Sequence, residues 1–248
     1  MKKRMDKVFV CNLLWVLLVA LLLPVSSVAQ NETDKAKALS QNQRNIIEIA
    51  VWTAAGELQL MKPALNKGLD DGLTINQIKE AIVHTYAYCG FPRSIRGLQT
   101  LIEVIEERKA KGIIDQMGKE ASTINDTRTK YDRGKEVLQK LTGNPQDLPR
   151  TGYSAFSPEI EVFLKEHLFA DLFERDVLTF LERELVTISV ISAIGKAEPM
   201  LKSHFNICLN LGLTPAQLDE FVTVIKLTLG KKPAKAAGKV LEGILSAK

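Results

Sequence analysis

The sequence predicts an all-α protein that contains two tandem copies of one helical unit, and three observations carry this prediction. No stretch of the 248 residues shows the sustained alternation of apolar and polar side chains that strands require. Two segments repeat each other, one beginning at Arg44 and the other at Arg183. Each segment also contains a Thr-x-x-Gln capping box, which is a helix-start signal. One helical unit is therefore expected twice.

The repeat keeps its register over both segments. Arg44 and Gly56 precede Arg183 and Gly195 by 139 positions. One additional residue in the later copy then raises the offset to 140, which pairs Gly72, Leu73, Thr74, Gln77 and Glu80 with Gly212, Leu213, Thr214, Gln217 and Glu220. Because both copies predict the same fold, function is best sought in the positions where they differ.

Residues 1–29 have the pattern of a secretory signal peptide. Basic side chains in the first seven positions precede an apolar run at 13–23, and residues 27–29 read Ser-Val-Ala, which suits a cleavage site. The run of 11 residues is shorter than the roughly 20 needed to span a bilayer, although counting from residue 8 leaves an uncleaved anchor open. We expect an exported protein, periplasmic or secreted, with no membrane association after signal cleavage.

Charge gives no indication of a nucleic-acid partner. The predicted signal holds four basic side chains and one acidic one, so its removal lowers the formal net charge of +4 by three, to +1. A nearly neutral chain lacks the clustered basic face that nucleic-acid binding requires.

Apolar spacing predicts the helices of the first copy. One helix is expected from Arg44 to Ala55, and a second runs to about Asp70 with Pro63 in its first turn. A third starts at the Thr74 capping box and breaks at the Gly-Phe-Pro sequence of residues 90–92, and a long helix follows at 93–111.

A polar, glycine-containing stretch separates the copies. It includes a helical patch at 131–141 and a loop at 149–158, and it precedes a helix expected at 158–169 and a short segment at 173–180. We place the first repeat at 30–118 and the second at 119–248.

Cys89 and Cys208 are the two cysteines that remain once residues 1–29 are removed. They form either one disulfide or two buried free thiols, and composition does not distinguish these alternatives. The chain has no CxxC motif.

Three motifs resemble the carboxymuconolactone decarboxylase family, which also includes the alkylhydroperoxidase D type proteins. They are HTYAYCGFPRSIRGL at 84–98, YDRGKEVLQKLTG at 131–143, and REL with SHFNICLNLGLTPAQLDE within 183–220. The resemblance covers nearly all of the mature chain as two fused copies and implies an all-helical, alkylhydroperoxidase D-like fold. It also implies self-association into rings of three or six domains, so we expect a homo-oligomer, a trimer of two-repeat chains.

The resemblance also maps the family's functional residues onto this chain. The redox branch uses CxxC followed by a histidine, and counting back from His204 those cysteines fall on Ala197 and Met200. Thiol peroxidase chemistry by the family route is therefore not expected. The histidine itself is kept as His204, and the family's acidic partner maps within one position onto Glu184.

Each copy keeps the half of the site that the other has lost. The first copy has His84 and Tyr88, where the second has Val224 and Thr228. Conversely, the first copy has Asn45 and Ala64 in place of Glu184 and His204. We therefore predict one composite pocket per chain, with the two imidazoles within about 12 Å, the span that one small ligand bridges.

Each site residue has a chemical interpretation and a structural alternative. His204 is the predicted general acid or base, or else a satisfied core histidine. Glu184 is predicted to orient that imidazole, or else to offset the dipole of its helix. His84 and Tyr88, at i and i+4, are predicted to bind a substrate carboxylate together with Arg93 or Arg96, or else to pack beside surface charges. Cys89 and Cys208 are possible redox residues, or else small core residues.

The function that follows is proton transfer or decarboxylation on a small carboxylated substrate. No metal-spaced cluster and no cofactor motif occurs, and loss of carbon dioxide from an unsaturated lactone acid requires only a proton donor and a cationic clamp. An exported location suits aromatic catabolism poorly, so the substrate is left open. The alternatives are a peroxiredoxin-like antioxidant, disfavoured by the missing CxxC, and a non-catalytic binding or assembly protein.

Overall fold

Ten α-helices and one π-helical segment occur in residues 38–146 and 149–247, the part of the chain that the computed structural model describes. The first copy contributes α1 (Gln41–Ala55), α2 (Leu58–Asp70) and α3 (Ile75–Ala110). Between the copies lie α4 (Lys130–Thr142), α5 (Gly152–Phe156), α6 (Pro158–Phe163) and the π-helical segment (Leu164–Leu172). The second copy contributes α7 (Phe180–Ile194), α8 (Glu198–Asn210), α9 (Pro215–Leu229) and α10 (Lys231–Leu245). These residues contain no strand, so the all-α prediction is confirmed.

The predicted signal peptide at 1–29 lies outside the described residues. Within the described ranges, no helix combines the length and apolar character that crossing a bilayer demands.

Equivalent helices of the two copies start with the same chemistry. α3 and α9 begin at the predicted capping boxes, where the hydroxyls of Thr74 and Thr214 accept from the backbone N–H three residues on. α1 and α7 also begin with capping boxes, at Ser40 and Thr179. The tandem repeat of the sequence is therefore a repeat of helical units in the structure.

Glycines interrupt both copies at the same point. Gly90 has φ 81° inside α3, and Gly230 has φ 87° between α9 and α10. This left-handed backbone favours glycine because it has no Cβ. The predicted break at residues 90–92 is confirmed.

The structure corrects two of the helix predictions. α2 begins at Leu58, so Pro63 lies inside the helix and not in its first turn. Met61 lies in the turn that the earlier start adds and is completely buried, and this burial offsets the hydrogen bond that the proline ring removes. The helix expected at 158–169 is α-helical only to Phe163 and continues as a π-helix to Leu172, where the carbonyl of Lys165 occupies the space that a Cβ on Gly134 would need.

The two copies share one core. α1 of the first copy packs against its equivalent, α7, and the compact unit that begins at Ser40 contains both copies. One buried cluster joins Ile46, Ile49, Ala50, Met61, Leu65 and Ile78 to Leu178, Val186 and Val190. This shared core brings residues of α3 and α7 into contact, which places side chains of both copies in one site.

Candidate active site

His204 and Glu184 form a hydrogen-bonded pair in the second copy. His204 Nδ1 lies 2.7 Å from Glu184 Oε2, between α8 and the first half of α7. The Glu184 side chain is fully buried, whereas that of His204 is 13% exposed. The capping-box carboxylate of α7 belongs to Glu182, so Glu184 lies farther along the helix and faces the imidazole.

His84 of the first copy is completely buried and is held by the second copy. Arg183 Nη1 donates to His84 Nδ1 at 3.3 Å, and His84 Nε2 lies 3.1 Å from Thr187 Oγ1. Since Thr187 itself donates to the Arg183 carbonyl, its oxygen accepts from Nε2–H, and this pattern assigns one neutral tautomer. Burial, the Arg183 charge and His204 lower the pKa of His84 well below its ordinary value.

Tyr88 lies between the two histidines. Its ring centroid is 5.6 Å from that of His84 and 5.9 Å from that of His204. The two imidazole centroids are thus no farther apart than the sum of these distances, which is below the limit of about 12 Å for one small ligand. We call His84, Tyr88, Glu184 and His204 the composite cluster. The structure brings these four predicted site residues together.

Two polar atoms of the composite cluster are buried without a regular hydrogen bond. Glu184 Oε1 has no hydrogen-bond partner among the described atoms, and the Tyr88 hydroxyl makes no hydrogen bond of regular geometry, although the Thr187 side chain interacts with it and by itself would lower its pKa. Burial, reinforced by the Glu184 carboxylate, raises the pKa of Tyr88 far above its ordinary value, so the hydroxyl keeps its proton. A donor and an acceptor without regular hydrogen bonds are exceptional in a protein interior and indicate a place for a water or a ligand.

A buried ion-pair network that the sequence did not indicate supports the cluster. Arg183 Nη2 donates to Glu80 Oε1 at 2.7 Å, and Arg175 donates to both Glu80 oxygens at 2.8 and 2.9 Å. Although burial alone would raise the pKa of Glu80, the hydrogen bonds from Arg175 and Arg183 hold it below its ordinary value. The available signal was the repeat itself, because Arg183 and Glu80 both have identical counterparts in the other copy.

The predicted arginine clamp is not brought to the composite cluster. Arg93 is exposed, and its guanidinium lies directly against Gly56, where an added Cβ would be 1.3 Å from Nη1. Arg96 is exposed as well and donates to Gln99. Neither arginine makes a described contact with the four side chains, and the cation beside His84 is Arg183.

Both cysteines of the described chain are free thiols, which decides against the disulfide alternative. The Cys89 thiol donates to the Thr85 carbonyl at 3.2 Å, and burial raises its pKa. Cys208 is fully buried, and burial together with the Glu184 charge raises its pKa well above the ordinary value. Neither environment favours the thiolate that redox chemistry requires.

Access to the composite cluster is narrow. The two clefts that flank α8 are lined by Leu201 on one side and Ile207 on the other, and His204 lines neither. Solvent reaches the cluster at the exposed edge of His204. Across residues 38–146 and 149–247, no three His, Cys, Asp or Glu side chains converge in a way that could hold a metal.

The fold and the composite cluster define an all-helical tandem-repeat protein in which a partly exposed histidine pairs with a buried carboxylate at the junction of the copies. The family model for the carboxymuconolactone decarboxylase family matches residues 26–103 and 158–243. These two matches cover more than half of the chain, which belongs to this family.

Two relatives show similarity at lower coverage. The chain is 27% identical over 116 residues to 4-carboxymuconolactone decarboxylase of Acinetobacter baylyi, over 46% of this chain and 86% of that protein. It is also 27% identical over 75 residues to an uncharacterised protein of Methanocaldococcus jannaschii, over 30% of this chain and 70% of that protein.

Proposed function

We propose that this protein is a cofactor-free decarboxylase of small carboxylated substrates in which His204 is the general acid and base. The observation that carries the proposal is the 2.7 Å contact between His204 and the buried Glu184, with the edge of the imidazole exposed. Family membership and the similarity to a 4-carboxymuconolactone decarboxylase support the reaction class.

The pair is suited to moving one proton. Glu184 accepts from Nδ1–H, which leaves Nε2 of His204 as the atom that takes and returns a proton. When the substrate's carbon–carbon bond to its carboxylate breaks, carbon dioxide leaves and the electron pair passes into the unsaturated lactone. The imidazolium form of His204 then protonates the lactone carbon that has received the electron pair. His204 regains its proton from solvent. The buried carboxylate stabilises the imidazolium and fixes the ring orientation.

The other cluster residues bind and position. Tyr88 keeps its proton because burial raises its pKa, so its hydroxyl is a donor for a substrate oxygen. Burial lowers the pKa of His84, so its imidazole stays neutral. Because this imidazole contacts the Tyr88 ring, His84 acts as a positioning residue. Arg183 supplies the buried positive charge on this side of the site.

The test is decarboxylation of 4-carboxymuconolactone, which is measured by the release of carbon dioxide. We expect His204→Gln to lower kcat/KM about 10²- to 10⁴-fold, the usual contribution of general acid–base catalysis. His167→Gln is the matched control, because His167 is 52% exposed and pairs with Asp171 on another surface. Full activity in His204→Gln would refute the catalytic assignment. A wild-type protein inactive on this and related lactone acids would refute the decarboxylase.

A non-catalytic binding or assembly protein is the second candidate, and the closed packing of the composite cluster favours it. His84 has no exposed surface, and His204 lines neither cleft beside α8. This candidate predicts that His204→Gln changes stability in a protein that has no turnover to lose. The trimer of two-repeat chains and the exported location are also proposals, which rest on the family resemblance and on the pattern of residues 1–29.

A further inference from the structure

A cavity opens in the second copy where α7, α8 and the start of α10 meet. Its volume is about 310 Å³, within the range of small-molecule sites. We call it the α10 cavity. Its principal walls are formed by Ile191, Ser192, Leu201, Lys232, Pro233 and Ala237.

The first copy has no such opening beside the equivalent glycine, because an arginine fills the space. Arg93 is the counterpart of Pro233, and its guanidinium covers Gly56 so closely that an added Cβ would lie 1.3 Å away. At Gly195, the counterpart of Gly56, an added Cβ would have no atom within 4 Å. The second copy has proline in place of this arginine, and the surface beside its glycine is open.

One wall of the α10 cavity carries a polar group without a partner. Ser192 lines the cavity and is 7% exposed, and its hydroxyl makes no hydrogen bond to any described atom. Its counterpart in the first copy, Thr53, donates to the Ile49 carbonyl at 2.7 Å. Buried hydroxyls normally have a partner, so the unsatisfied Ser192 indicates a ligand that the first copy does not need.

The charge at the cavity favours an anion. α10 starts at Gly230 with no side-chain cap, and its first turn contains no acidic residue, so no side chain of that turn offsets its N-terminal dipole. Lys196 and Lys232 add two cations at the rim. Glu198 also lines the cavity, but it lies in the first turn of α8 and offsets the dipole of that helix.

We propose that the α10 cavity binds a small organic anion that has one carboxylate and an apolar body. The carboxylate lies beside Lys232 in the first turn of α10, and the apolar part packs between Ile191 and Leu201. None of the four residues of the composite cluster lines the cavity, although Ala197, at the position of the redox branch's first cysteine, does. The binding therefore holds whether or not the protein is a decarboxylase.

The first experiment compares two probes of similar shape, benzoate and benzyl alcohol, by titration calorimetry on the full chain. Benzoate is expected to bind at least about tenfold more tightly than the neutral alcohol, and its affinity falls as salt is added. Absence of benzoate binding at millimolar concentration, or equal binding of both probes, would overturn the proposal.

The second experiment replaces Pro233 of the second copy by arginine, the residue at the equivalent position of the first copy. Pro233→Arg is expected to fill the cavity and weaken benzoate binding at least about tenfold, while the Tm does not fall because Arg93 occupies the same place in the first copy. Lys239→Gln, a change at an exposed position farther along α10, is the matched control and keeps wild-type affinity. Benzoate binding that persists unchanged in Pro233→Arg would refute the site.

Two further variants test whether the Ser192 hydroxyl and His204 contribute to benzoate binding. Ser192→Ala is expected to weaken benzoate binding several-fold without loss of stability, since the hydroxyl has no partner among the described atoms. His204→Gln is expected to keep wild-type benzoate affinity, so that failure here is distinguished from failure of the catalytic proposal. A loss of binding in His204→Gln equal to that in Pro233→Arg would contradict a separate site.

Discussion

Two arginine–glutamate pairs cross between the copies, and the repeat relates one to the other. Arg183 reaches Glu80 with 2.7 Å between Nη2 and Oε1, and Arg44 reaches Glu220 with 2.5 Å between the same atoms. The side chains are 0% and 2% exposed in the first pair but 34% and 24% exposed in the second. The same ion pair therefore exists once buried and once partly exposed to solvent within one molecule.

The difference between the pairs follows the difference between the two faces of the junction. The buried pair adjoins His84 and the rest of the composite cluster. On the opposite face, Asn45 stands in the place of Glu184 and donates to Asp71 at 2.8 Å, while Ala64 stands in the place of His204. Positions 184 and 204 of the second copy carry ionisable groups, whereas their counterparts Asn45 and Ala64, which are buried, do not.

The largest expected effect comes from breaking the buried pair. Glu80→Ala leaves Arg183 buried without its carboxylate, and loss of one partner of a buried pair typically costs about 3–5 kcal/mol. Urea unfolding followed by circular dichroism measures the loss in unfolding free energy. A loss below about 1 kcal/mol, the value typical of exposed pairs, would show that the burial of this pair does not matter.

A medium effect is expected from pH, because His84 belongs to the buried face. Its folded pKa lies well below the ordinary 6.5, so the unfolded chain binds a proton that the native chain does not. The unfolding free energy should therefore fall as pH drops below about 6.5, by up to about 1.4 kcal/mol per pH unit.

The control for this pH effect is His84→Gln, which removes the titrating group. The comparison stays above about pH 5.5, one unit above the ordinary pKa of Glu80 (4.5), where this carboxylate is ionised in both the folded and the unfolded chain. Urea unfolding at a series of pH values should give a shallower slope for the variant than for the wild type. Equal slopes would mean that His84 does not titrate differently in the two states.

The smallest effect is expected at the exposed pair. Glu220→Ala should change the unfolding free energy by about 0–1 kcal/mol, since water and salt screen a pair whose members are 34% and 24% exposed. Added salt should reduce even that difference. A loss as large as that of Glu80→Ala would remove the contrast between the two faces.

Features set by neighbouring residues were predictable from the sequence. The capping boxes at Thr74 and Thr214 and the break at Gly90 depend on residues within four positions, and the structure has them as expected. The predicted start of α2 was wrong, because the burial of Met61 in the preceding turn outweighs the local effect of Pro63.

The site was predictable where family motifs and repeat differences pointed to it. His84, Tyr88, Glu184 and His204 do lie together. The prediction assigned the cation of the site to the wrong arginine. It chose Arg93, which is near Tyr88 in sequence, whereas Arg183 reaches His84 across 99 positions of chain. Only the packing of α3 on α7 determines which arginine meets the histidine.

The fusion of two units into one backbone has a consequence for how such a site changes over time. In an assembly of identical subunits each substitution occurs on both sides of the axis, so a histidine gained at one face is gained at the other. Here Val224 occupies the position that corresponds to His84, and the two are encoded separately. A single gene can thus hold an asymmetric arrangement, and its halves meet at an effective concentration set by the connecting segment and independent of dilution.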